Sequence, residues 1–175
     1  GDSQEFSIYD NSICALVLAE LYAMRPEEKY KLAAQKVIDY LADVKKVHRG
    51  FSRYPNIPNS TSVNGWMLMA FKSAKIAGLN VPPIVFEKLL KRLNDVSFKN
   101  MNGYYESVGY LQKRDRLEDN TTMTAVGMVM FEYLGTNKNE LKLLANTLVG
   151  ELPIWGVLSA NHEMYHWYYT TLALY

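Results

Sequence analysis

Apolar residues recur along this chain at helical spacing, and one order of side chains returns four times. Within STSVNGWMLMAFKSAKIAG, Ser62, Gly65, Leu68 and Phe71 fall three apart, forming a slowly rotating stripe on a helix. Ser12, Ala15, Leu18 and Leu21 show the same order earlier, as do Thr122, Ala125, Met128 and Phe131 later. The closing MYHWYYTTLALY reads as an aromatic-rich fourth copy, with Trp167, Thr170 and Ala173 in register. A small residue lets a helix approach its neighbour, and large apolar residues one turn on fill the gap. The copies lie roughly 50 residues apart, which fits a helix-pair repeat with loops of variable length.

The pattern predicts about seven helices. The first is capped by Asp10 or Asn11 and runs to Met24, with Ile13, Leu16, Val17 and Leu21 inward. A second starts at Pro26-Glu27-Glu28, where acidic groups meet the positive end of the helix dipole. It carries Leu32, Ala33, Val37, Tyr40, Leu41 and Val44 and stops at Gly50. GFSRYPNIPN is a loop, because Pro55 and Pro58 suit neither a helix interior nor a central strand. Ser60 or Thr61 caps the third helix, which places Trp66 in the core and ends at Gly78. Pro82 and Pro83 open a fourth with Val85, Phe86, Leu89, Leu90 and Leu93. A loop from Asp95 to Asn120 follows, with room for a short hairpin within Tyr104 to Leu111. A fifth helix runs from Asp119 or Asn120 to Gly135, a sixth from Glu140 to Val149, and a last from near Asn161. That last helix lacks an evident partner: it closes on the first hairpin, or another chain or segment covers it. Residues 1–8 are expected to be a flexible leader, and 9–175 one all-α domain of αα-hairpins.

Composition narrows the function classes. Nineteen Lys and Arg against 18 Asp and Glu leave a formal net charge of +1, which provides no global field for nucleic acid or an anionic membrane. No apolar run approaches the ~20 residues needed to span a bilayer. The single cysteine, Cys14, cannot form an internal disulfide and is expected to be a buried, inert thiol. The chain opens GDSQEF without an initiator Met: Gly1 reads as a cloning remnant, and the start as the mature end of an exported protein.

Three segments together resemble the α/α-toroid proteins, which include terpenoid and squalene cyclases and protein prenyltransferase β-subunits. They are STSVNGWMLMAFKSAKIAGLNVP, TAVGMVMFEYLG and YHWYYTTLALY, the last similar to the aromatic helix of bacterial prenyltransferase/squalene-oxidase-repeat proteins. Gly50-Phe51 and Gly103-Tyr104-Tyr105 are similar to the glycine-aromatic loops of that family. The resemblance spans nearly the whole chain. It implies an inner and an outer ring of helices, although three hairpins and one helix fall short of the family's usual six hairpins, leaving a partial toroid or arc.

The catalytic groups of such relatives are missing. There is no Asp-x-Asp-Asp acid of cyclases and no Cys-Gly-Glu-Gln thioester, and Ser12 rather than Asp stands two residues before Cys14, against the zinc set of prenyltransferases. The residues call for no cofactor. His162-Glu163-Met164-Tyr165-His166 is a formal H-E-x-x-H, in which His162 and His166 can share a zinc ion on one helix face. No further Asp, Glu or His follows to complete the ligand set, so packed helix-start histidines are the preferred reading. Some toroid enzymes are polysaccharide lyases, in which a basic group removes a proton beside a carboxylate-bearing carbon. In KRDRLED, Arg116 with Asp119 is a candidate for such a site, flanked by Tyr105 and Tyr110 for stacking on sugar rings, with a solvated charged loop as the plainer alternative. Arg53, Tyr54, Tyr105, Trp155 and Trp167 are candidates for an aromatic rim that binds carbohydrate or protein, the plainer alternative being aromatics that seal the helix ends. The function expected is a non-catalytic binding or scaffold module, against a toroid-fold enzyme with unfamiliar catalytic groups.

Overall fold

The computed structural model describes residues 8–47, 60–111, 121–150 and 163–175. Among them lie seven helices: α1 (Ile8–Met24), α2 (Glu28–Val47), α3 (Thr61–Ile76), α4 (Ile84–Val96), α5 (Thr121–Tyr133), α6 (Lys138–Gly150) and α7 (Glu163–Leu174). Strands β1 (Ser97–Lys99) and β2 (Tyr105–Val108) form one small sheet between α4 and α5. Among the described residues the fold is therefore all-α apart from this hairpin. The chain divides into two compact units, 1–89 and 90–175. Of the expected flexible leader, residues 1–7 lie outside the described set, whereas Ile8 already belongs to α1.

In the first unit α1 packs on both α2 and α3, and α2 also touches α3. The face of α1 that does so is Ser12, Ala15, Leu16 and Ala19, and that of α2 is Ala34, Ile38, Leu41 and Ala42. Ser12, Ala15, Leu16 and Leu41 are buried as expected, whereas Val17 and Leu32 are not. Val17 is 57% exposed and Leu32 63%, so the buried stripe follows small size rather than hydrophobicity alone. Alanines let the helix axes approach closely, and the resulting van der Waals contact outweighs the burial of one larger side chain. Ser12 is accommodated because its hydroxyl donates to Ile8 O at 2.7 Å. Cys14, expected in the core, is exposed for the same reason: it lies off the alanine stripe.

The Ser60 side chain caps α3, accepting from Val63 N at 3.4 Å, while Asn64 Nδ2 donates to Ser60 O at 2.9 Å. The helix ends at Gly78 (φ 78°), where Leu79 N donates to Ala74 O and Gly78 N to Lys75 O. This is a Schellman stop, with Leu79 buried over the last turn. The exit is then held from α2: Gln35 donates through Nε2 to Asn80 O (2.9 Å) and accepts from Asn80 N (2.8 Å). Trp66 is half-buried rather than core, and its indole Nε1 donates to Tyr9 Oη on α1 at 2.9 Å.

In the second unit α5 is central, packing on α6, α7 and β2. Its residues from Met123 to Phe131 are buried without a break, as expected of a helix apolar on all sides. It ends in a second Schellman stop at Gly135 (φ 81°), with Thr136 N donating to Phe131 O. The two strands pair antiparallel, Ser97 opposite Val108 and Lys99 opposite Tyr105, with a register shift between Phe98 and Lys99. The hairpin is not the one expected within Tyr104 to Leu111: only β2 falls in that stretch, and its partner is Ser97–Lys99, a segment assigned above to loop. Helix α7 finds its partners on α5 and α6, where the sequence left it without an evident partner, to close on the first hairpin or be covered by another chain or segment.

Each unit consequently has the same internal plan. Two stripe-bearing helices lie against each other (α1 with α3, α5 with α7), and the helix between them in sequence packs on the first (α2 on α1, α6 on α5).

Candidate functional site

Side-chain alternation on β2 determines what that strand can present. Tyr105 turns inward, its ring centroid 4.0 Å from that of Phe131 on α5, and its hydroxyl donates to Asn94 Oδ1 at 2.6 Å. It is therefore a core residue and not the sugar-stacking tyrosine expected from the sequence. Lys99 lies over the same ring, with Nζ 4.0 Å from the centroid and 3.0 Å from Glu140 Oε2 on α6. Partial burial lowers the ammonium pKa, but the bonds to Glu140 and Tyr105 outweigh that effect and hold it above the ordinary lysine value. The group is a fixed cation bracing β1, β2 and α6.

Glu106, the next residue on β2, lines a shallow groove of about 400 Å³ with Leu143, Asn146 and Thr147 of α6. A carboxylate, a carboxamide and a hydroxyl grouped with Leu143 can hydrogen-bond a polar ligand. Neither Glu106 nor the polar end of α6 stood out in the sequence. The available signal was the two-residue alternation that sends Tyr105 in and Glu106 toward the surface.

Helix α7 contributes the other surface. Tyr169, Thr170 and Ala173 are buried, consistent with its packing on α5 and α6. Met164, Trp167 and Tyr168, one turn apart on the remaining face, are 72%, 38% and 42% exposed. The Tyr169 ring sits 4.8 Å from Tyr165 and 5.0 Å from Tyr168, so the exposed aromatic stands on a buried aromatic base. His166 is half-buried, its Nδ1 3.3 Å from Thr170 Oγ1 within the same helix.

Of the other predicted site residues, Tyr110 is exposed just beyond β2. Arg53, Tyr54, Arg116, Asp119, Trp155 and His162 lie outside the described residues. Among the described residues no three His, Cys, Asp or Glu side chains gather as metal ligands, and no helix is long and apolar enough to cross a membrane. Arg92 was not anticipated: burial lowers its pKa, partly offset by Asp95, and Nη2 donates to Leu111 O at 2.7 Å, tying α4 to the chain beyond β2. No protein-family model, no curated protein and no solved structure matches this chain.

Proposed function

We propose that this chain is a non-catalytic binding or scaffold module of the α/α-toroid kind, recognising protein or carbohydrate through aromatic surface. The observation that carries this reading is the face of α7 on which Met164, Trp167 and Tyr168 stay exposed while Tyr169 anchors the helix beneath them. Rigid aromatics on a buried base offer large contact area at small entropic cost, the usual make-up of recognition surfaces. A second reading, a toroid-fold enzyme with unfamiliar groups, is favoured by the Glu106-lined groove, which sets a carboxylate beside hydrogen-bonding side chains.

One screen separates them. The protein is applied to oligosaccharide and peptide arrays, and hits are titrated by tryptophan fluorescence. Saturable binding that disappears in Trp167→Ala/Tyr168→Ala, with helicity and melting temperature retained, supports the module. Equal binding by parent and double variant would remove α7 from the reading. Conversion of an oligosaccharide to shortened or unsaturated products, abolished by Glu106→Gln, would establish the enzyme instead.

A further inference from the structure

The chain contains two Asn-Gly dipeptides, and the fold puts them in opposite surroundings. Asn64 and Gly65 are buried in the first turns of α3. There the Asn64 carboxamide donates to Ser60 O at 2.9 Å, and the Asn64 backbone N–H donates to the same oxygen at 3.1 Å. Asn102 and Gly103 are exposed at the tip of the β1–β2 hairpin, where Gly103 has a φ of 83°. A glycine nitrogen next to an asparagine carboxamide is the least hindered main-chain nucleophile a protein offers, because no Cβ obstructs its approach.

We infer that Asn102 is a site of spontaneous deamidation through a cyclic imide, and that the fold confines this chemistry to Asn102 by sequestering Asn64. The Gly103 nitrogen gives its proton to solvent base and attacks Asn102 Cγ. A bond forms between that nitrogen and Cγ, the Cγ–Nδ2 bond breaks, and the amide nitrogen takes up a proton from solvent and leaves as ammonia. Water then opens the imide. Cleavage of the new bond to Cγ gives aspartate, while cleavage on the main-chain carbonyl side gives isoaspartate, with one extra methylene in the backbone. The net change consumes one water and releases one ammonia. At Asn64 the helical backbone holds the Gly65 nitrogen away from Cγ, and the carboxamide is anchored to Ser60.

The turn also restrains the reaction. Gly103 N donates to Asn100 O at 3.0 Å, and Asn100 Oδ1 accepts from Asn102 N and Tyr104 N, both at 3.0 Å. Those bonds have to open before the attack, which loop tips do readily. Isoaspartate formed there lengthens the turn that Asn100 brackets, and so loosens the hairpin carrying Lys99 and Tyr105.

The test is peptide mapping by mass spectrometry, with an isoaspartate assay, on folded protein held at mildly alkaline pH and on the same protein in urea. In the folded protein the peptide containing Asn102 is expected to gain the mass of an amide-to-acid change, as a mixture of aspartate and isoaspartate. Asn64 is expected to convert only in urea. Asn100→Ala should raise the rate at Asn102 several-fold, and Asn102→Gln should abolish the change. Reaction of Asn102 in urea alone, or equal conversion of both sites in the folded protein, would overturn the inference.

Discussion

Gly127 lies in the middle of α5 because β2 leaves room for nothing larger. A Cβ built there would lie 2.5 Å from Val108 Cγ2 and 2.8 Å from Val108 Cβ, on a β-branched side chain with little freedom to turn away. The close approach is reinforced by Val108 N donating to Thr124 Oγ1 at 3.3 Å, one helical turn earlier on α5. Gly127→Ala, favourable for an isolated helix, is therefore expected to destabilise the protein by ~1–3 kcal/mol through overpacking; chemical denaturation measures it. Glu132, at the other end of α5, tests electrostatics. Burial raises its carboxyl pKa, countered in part by Lys138, and the residue sits at the negative end of the helix dipole. A raised folded-state pKa means that the contribution of this group is fully present below the unfolded pKa and is lost as pH rises through the folded value. Glu132→Gln is thus expected to melt higher than the parent at neutral pH, with the gap closing in mild acid. Neither effect was legible in the sequence, because each depends on which strand or loop lies against α5. Tyr105 makes the same point for the site: its side of β2 was decided by packing on Phe131, not by its adjacency to polar residues.

At the scale of elements, ends were easier to read than faces. Ser60, Gly78 and Gly135 stop or start helices where the sequence places them, because capping is local chemistry between neighbours in the chain. The faces of α1 and α2 were misread in part: Ser12, Ala15, Leu16 and Leu41 are buried as expected, but Val17 and Leu32 look like core residues until the alanines beside them meet a partner helix. The latch between α2 and the α3–α4 turn was likewise invisible: Gln35 and Asn80 are 45 residues apart, and both polar groups resemble ordinary surface. Removing the carboxamide in Gln35→Ala leaves the Asn80 peptide to water, so a loss of ~0.5–1.5 kcal/mol is expected. Hydrogen exchange at the Asn80 amide is the accompanying readout and should quicken. An unchanged exchange rate would show that the turn is held without the latch.

For the whole molecule, the fourfold recurrence in sequence becomes two pairs of packed helices, α1 with α3 and α5 with α7. Helix α7 is therefore expected to be integral to its unit. A chain ending at Gly150 should expose the apolar face of α5, bind a hydrophobic dye and melt well below the parent, whereas an unchanged melting curve would show that α7 contributes no cover. By itself the sequence determined the helical class, the approximate number of helices, the cap at Ser60, the stops at Gly78 and Gly135, and the recurring small-then-large stripe, although α1 starts at Ile8, ahead of the expected Asp10 or Asn11 cap. Those properties depend on residues within a turn or two of one another, where periodicity and backbone chemistry suffice. Only the tertiary structure decided which face of α1 is buried, which strand pairs with β2, and that Tyr105 is core while Trp167 remains at the surface. Those outcomes depend on contacts between residues far apart in the chain, where closeness of fit selects among several faces of nearly equal hydrophobicity.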